Sequence, residues 1–200
     1  MLTRNKISSL VIDTLCRQPR GQNIAVLSFY CDYQARKEQS ATKIIGSLLR
    51  QVVAAVTRVP DEIRDAFEES KQRGGKRLRL SDMLKLFVSV ISSMKAYICV
   101  DAVDELLPQN RSEFLRALRQ VVEEASNVRL FLTGRPYIRR ELDKHLTRGA
   151  YIIHVVPDQE DITRYLSRKI DDDDDRDPDL MTENLKDDIM KTMLEKASEM

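Results

Sequence analysis

Residues 96–105, Ala-Tyr-Ile-Cys-Val-Asp-Ala-Val-Asp-Glu, constrain this chain more than any other stretch. Tyr97 to Val100 is a short apolar, β-favouring run, suited to a strand buried on both faces. It ends abruptly in Asp101, with Asp104 and Glu105 close behind. Acids at the tip of a buried strand are costly unless they have a role there, and in open parallel α/β sheets the C-terminal tips are where ligands bind. Carboxylates so placed suit a hard cation such as Mg²⁺, which takes oxygen ligands, keeps several waters and is shared with substrate phosphates.

A second apolar run, Val128-Arg129-Leu130-Phe131-Leu132, ends in Thr133-Gly134-Arg135-Pro136. Two neighbouring strands, one tipped with acids and the other with a hydroxyl and a guanidinium, would form a pocket for a metal-bound polyphosphate. Arginine suits it because its planar fork matches phosphate geometry. The plainer reading of such acids is a solvated turn or a helix cap. Two tips in this order, joined by one helix-length segment, favour the pocket.

Two further apolar runs read as buried strands, Ile24 to Cys31 and Ala150 to Val156. Helical spacing connects them: Leu2 to Cys16, Ser40 (as N-cap) to Val56, Pro60 to Lys71, Ser81-Asp82 (as cap) to Met94, Ser112 to Ser126, Tyr137 to Leu146, Pro157 to Ile170 and Thr182 to Glu199. Continuously apolar strands separated by helices predict an α/β fold, a three-layer parallel sheet with helices on both faces. The expected organisation is a core over residues 1–170, an acidic linker over 171–181 and the start of a following helical segment over 182–200.

Composition narrows the class. With 33 basic and 32 acidic side chains the net charge is +1, and no basic, aromatic-interleaved face argues for nucleic acid. Cys16, Cys31 and Cys99 each lie in an apolar stretch and form no CxxC pair, so they read as reduced, buried thiols of a cytoplasmic protein. No apolar run is long enough to span a bilayer, and Arg4, Lys6 and Asp13 interrupt any signal-like segment.

The smaller motifs have plain readings. Gly74-Gly75-Lys76 lacks both the first glycine and the Ser/Thr of a G-x-x-x-x-G-K-S/T loop and reads as a basic loop. Asp171 to Asp175 resembles a calcium loop in charge alone. His154 reads as a hydrogen-bonded sheet histidine and His145 as exposed at a helix end. Nothing places a serine on a strained turn beside a histidine.

Four segments together carry a resemblance. Residues 97–105 resemble the Walker B motif of NACHT-type NTPases, the STAND signalling class of the P-loop superfamily, and Leu130 to Pro136 resembles their sensor 1 strand. Ser28 to Tyr33 followed by Ile45 to Gln51 is similar to the fungal nephrocystin-like N-terminal module, which commonly precedes ankyrin or other repeats. The resemblance spans about residues 7–170. It implies that Asp101 holds Mg²⁺ through water, that Asp104 and Glu105 orient or deprotonate the attacking water, and that Thr133 and Arg135 sense the γ-phosphate of ATP or GTP. It also implies a sheet order of 5-1-4-3-2, with a Gly-rich Lys-Ser/Thr loop after strand 1.

This chain carries neither that strand nor that loop; residues 7–15 resemble the helix that follows it. On this resemblance the chain starts just after the phosphate-gripping residues, and it is expected to bind nucleotide poorly. The expected function is that of a regulatory or scaffolding module of a larger repeat protein, a nucleotide-switched signalling NTPase without Walker A. Its partners would be nucleotide, where that loop is restored, and other protein domains or its own copies. Two other readings stand beside it: an interaction domain keeping only the fold, and a Mg²⁺-dependent phosphoryl-transfer enzyme.

Overall fold

The computed structural model describes residues 2–17, 23–72, 78–146, 150–155, 158–172 and 182–198. The chain divides into two compact units, Met1–Ala150 and Tyr151–Met200. In the first, three strands form a parallel sheet: β1 (Ile24–Tyr30), β2 (Lys95–Asp101) and β3 (Val128–Leu132), in that spatial order. The fold is therefore α/β, with the acid-tipped strand in the centre.

The register brings the strand ends level. Tyr30 lies opposite Asp101, and Val100 opposite Leu132, so Cys31, Asp101 and Thr133 share one edge of the sheet. Cys31 N donates to the Asp101 carbonyl at 3.0 Å and Thr133 N to the Val100 carbonyl at 3.0 Å, extending both ladders to the tips.

Alternation along the strands assigns the two faces. Ala25 and Leu27 of β1 and Ala96, Ile98 and Val100 of β2 join the main core. That core is closed by α2 (Ala41–Ala55), α4 (Leu80–Ile91) and α5 (Pro108–Glu124), through Ile44, Leu48, Phe87, Phe114 and Leu118, all fully buried. The intervening residues of β2, Cys99 and Asp101, face the other way, and α1 (Leu2–Cys16) packs against β1 and β2 there. Helices α3 (Asp61–Gln72) and α6 (Arg139–Leu146) complete the first unit.

Local signals account for most helix starts. Ser40 accepts from Lys43 N and caps α2, as its residue type predicts. Helix α5 begins at Pro108, before the expected Ser112, because proline suits the first helical position, where its missing N–H leaves nothing unsatisfied. Ser81-Asp82 does not cap α4; the helix already starts at Leu80, after Arg79, and Asp82 lies in its first turn.

The largest departure is at 150–155. This run forms no strand: Tyr151, Ile152, Ile153 and Val155 are exposed, Tyr151 to 96 %. Strand propensity is largely the fit of a side chain to a pleated, half-buried surface, so an apolar run without a ladder gains nothing from it. His154 is therefore not a sheet histidine. The rest of the second unit is α7 (Gln159–Asp171), capped by Asp158, and α8 (Glu183–Ser198), packed on each other. The Gly74-Gly75-Lys76 loop, Val156, Pro157 and most of the acidic linker lie outside the described residues. Among the described residues no helix is long and apolar enough to cross a membrane.

Candidate functional site at the strand tips

The site is built at the C-terminal edge of the sheet. Asp101 is 3 % exposed, and its Oδ1 accepts two hydroxyls, Thr133 Oγ1 at 2.6 Å from β3 and Ser8 Oγ from α1. Thr133 Oγ1 in turn accepts from Ala102 N at 2.9 Å, so its single proton is committed to Asp101. The tips of β2 and β3 are thus stitched together through side chains as well as through the ladder.

After Asp101 the backbone turns sharply. Ala102 takes the left-handed conformation, φ 55° and ψ 47°, unusual for a residue with a Cβ, and leads into a 3-10 turn over Val103–Glu105. Val103 N donates to the Thr133 carbonyl at 2.9 Å and holds that turn against β3. The turn delivers both expected acids. Asp104 is buried; its Oδ1 accepts from Arg135 N at 3.2 Å and its Oδ2 lies 3.4 Å from Arg135 Nε. Glu105 turns to the β1 side, where its Oε2 accepts from Tyr33 N at 3.0 Å.

Gly134 leaves room for this close approach, and a side chain there would make Ile138 shift. A Cβ there would lie 2.7 Å from Ile138 Cδ1, a buried core atom, and 3.6 Å from Asp104 Oδ1. Arg135 itself is 60 % exposed and aims its guanidinium over the acid turn.

A cleft of about 580 Å³ opens between this turn and the loop after β1. Arg135, Tyr137, Asp104 and Glu105 line it from one side and Tyr33 and Arg36 from the other. Arg36 stacks over the Tyr33 ring at 4.0 Å. Asp101 and Thr133 are not among its lining residues.

The five residues singled out in the sequence divide into two linked groups: Asp101 with Thr133, and Asp104 with Arg135, Glu105 bridging to the β1 loop. Sequence reasoning missed two residues that hold them. Ser8 sits in the middle of a helix of mixed polarity and carries no local signal, since its partner is 93 positions away. Arg111 is buried in α5, where it reads from sequence as an ordinary helix-entry charge.

The surrounding thiols are chemically quiet. Burial first, then the Glu105, Asp101 and Asp104 carboxylates, push the Cys31 thiol far above its usual range. Burial raises Cys99 to about 11. Cys16, expected to be buried, is exposed near the end of α1. Among the described residues no three of His, Cys, Asp and Glu converge as a metal cage.

A match to the nephrocystin 3 N-terminal family covers residues 5–135, 131 of the 200 in the chain. The chain belongs to the nephrocystin 3 N-terminal family. No curated protein matches it. The nephrocystin 3 N-terminal match takes in all three strands and both tips, and it closes on Arg135, the last of the five candidate residues.

Proposed function

We propose that this chain carries the strand-tip site of a nucleotide-switched signalling NTPase of the NACHT type and acts as a regulatory module within a larger, repeat-bearing protein. The observation that carries the reading is the 2.6 Å hydrogen bond between Thr133 Oγ1 and Asp101 Oδ1, which fastens the tip of β3 to the tip of β2. In this reading Asp101 would hold Mg²⁺ through water, Thr133 and Arg135 would meet the γ-phosphate of ATP or GTP, and Asp104 and Glu105 would orient the attacking water. The metal, when bound, would neutralise phosphate charge.

The donor set fits that role, but the grip on phosphate is weak. No G-x-x-x-x-G-K-S/T segment occurs in the 200 residues, and backbone N–H groups and a lysine supply most of the binding in such sites. The chain as it stands therefore binds Mg²⁺-ATP and Mg²⁺-GTP too weakly for calorimetry at micromolar protein to register. Micromolar affinity in that titration would overturn the statement.

A second reading, an interaction domain keeping only the fold, is favoured by one observation. Asp104 and Glu105 are already engaged, by Arg135 and by Tyr33 N. Grafting a strand and phosphate loop of the family ahead of residue 2 separates the two. Nucleotide binding gained by the graft supports the first reading, and a folded graft without binding supports the second.

A further inference from the structure

We infer that Arg111 is a positioning residue that fixes the acid-bearing turn and ties it to α6. Arg111 is 8 % exposed although it carries a permanent charge. Its Nη1 donates to the carbonyls of Asp104 at 3.2 Å and Leu106 at 3.1 Å, and its Nε donates to Glu141 Oε2 at 2.7 Å. One guanidinium from α5 thus closes the C-terminal side of the turn and reaches the helix that follows the Arg135 tip.

The turn needs such a clamp. It starts from Ala102 in a left-handed conformation, which persists only where surrounding contacts over-determine it. Thr133 supplies the contacts on the entry side, through Ala102 N and Val103 N. On the exit side the carbonyl of Asp104 accepts from both Arg111 and the Tyr137 hydroxyl, the latter at 3.2 Å. Arginine fits where lysine does not. Two nitrogens of one rigid plane point in different directions, to main-chain carbonyls and to a carboxylate, whereas an ammonium is a single point donor.

The clamp grips the turn by its main chain and places its carboxylate contact on Glu141 of α6. A ligand anion that draws the exposed Arg135 guanidinium away from Asp104 Oδ2 leaves the backbone beneath the acid in place. Arg111 thereby keeps Glu105 and Asp104 aimed while their partners exchange. The consequence for hydrolysis rests on the nucleotide-site reading; the clamp itself does not.

The test is amide hydrogen exchange on the full chain, in wild type, Arg111→Lys and Glu141→Gln. The amides of Val103, Glu105 and Leu106, all hydrogen-bonded within or onto the turn, should exchange at least ten-fold faster in Arg111→Lys. Those of Ile44 to Val52 in the α2 core should stay within two-fold. Because Arg111→Lys keeps the charge, its failure to protect the turn separates positioning from simple charge balance. Glu141→Gln, which keeps an acceptor but loses the pair, should accelerate the same three amides and decides the matter if the lysine variant does not fold. Unchanged exchange at the three amides, or equal acceleration in α2, overturns the inference. In the loop-grafted chain Arg111→Lys should lower kcat at least ten-fold with KM within two-fold. A folded wild-type graft without hydrolysis would refute the NTPase reading and leave the exchange result to judge the clamp.

Discussion

Thr133→Val removes one hydroxyl and almost nothing else, since the two side chains are nearly isosteric. The hydroxyl makes two bonds, donating to Asp101 Oδ1 at 2.6 Å and accepting from Ala102 N at 2.9 Å. Losing a hydrogen bond to a carboxylate removes about 1.5–3 kcal/mol, and leaving a buried N–H without an acceptor costs about 1–3 kcal/mol. Ala102 is buried, but Thr133 is only half-buried, so water recovers part of both. The expected loss is about 2–4 kcal/mol. With a urea slope of about 2 kcal/mol/M for a unit of this size, the unfolding midpoint, followed by far-UV circular dichroism, should fall by about 1–2 M. Ser8→Ala removes only one donor from the same oxygen and should shift the midpoint less. Because both hydroxyls serve Asp101 Oδ1, the double variant should depart from the sum of the two by more than about 0.5 kcal/mol. A Thr133→Val midpoint within about 0.3 M of wild type would refute the idea that this hydroxyl locks the two tips.

Gly134→Ala should destabilise by about 1–3 kcal/mol, since its Cβ would sit 2.7 Å from the buried Ile138 Cδ1, and a thermal melt reads the change directly. Ellman titration of the native chain near pH 8 should find one fast thiol, Cys16, and all three after denaturation; a second fast native thiol would contradict the burial of Cys31 and Cys99. His145 is half-buried, its Nε2 has no hydrogen-bond partner among the described residues, and burial, then Lys144, lower its pKa below 6.5. The unfolded chain then holds the extra proton between the lowered value and 6.5, so stability falls as pH drops through that window. The melting midpoint of His145→Gln should therefore decline less than that of wild type between about pH 7 and pH 5.5; parallel declines would contradict the assignment.

The parts of the fold that were legible in the sequence are those fixed by local chemistry. Continuous apolar runs marked β1, β2 and β3, and the change from apolar to acidic at Asp101 marked the edge on which the candidate residues gather. Ser40 announced the start of α2. What was not legible depends on partners far away in the chain. The run 150–155 has the composition of a strand, yet composition does not provide a ladder. Ser8 and Arg111 matter through contacts that helical periodicity does not encode: a hydroxyl across 93 positions, and a guanidinium fitted to two carbonyls and a glutamate. Cys16 looked buried by its neighbours, but near the end of α1 it faces solvent.

The reading stands on Asp101 serving a phosphate-bound cation. The most direct measurement is calorimetric titration of Mg²⁺-ATP and Mg²⁺-GTP into the loop-grafted chain, with and without Asp101→Asn. The account predicts magnesium-dependent binding by the graft and its loss in the variant, with the fold retained. Equal binding by both proteins, or a folded graft that binds neither nucleotide, would contradict it.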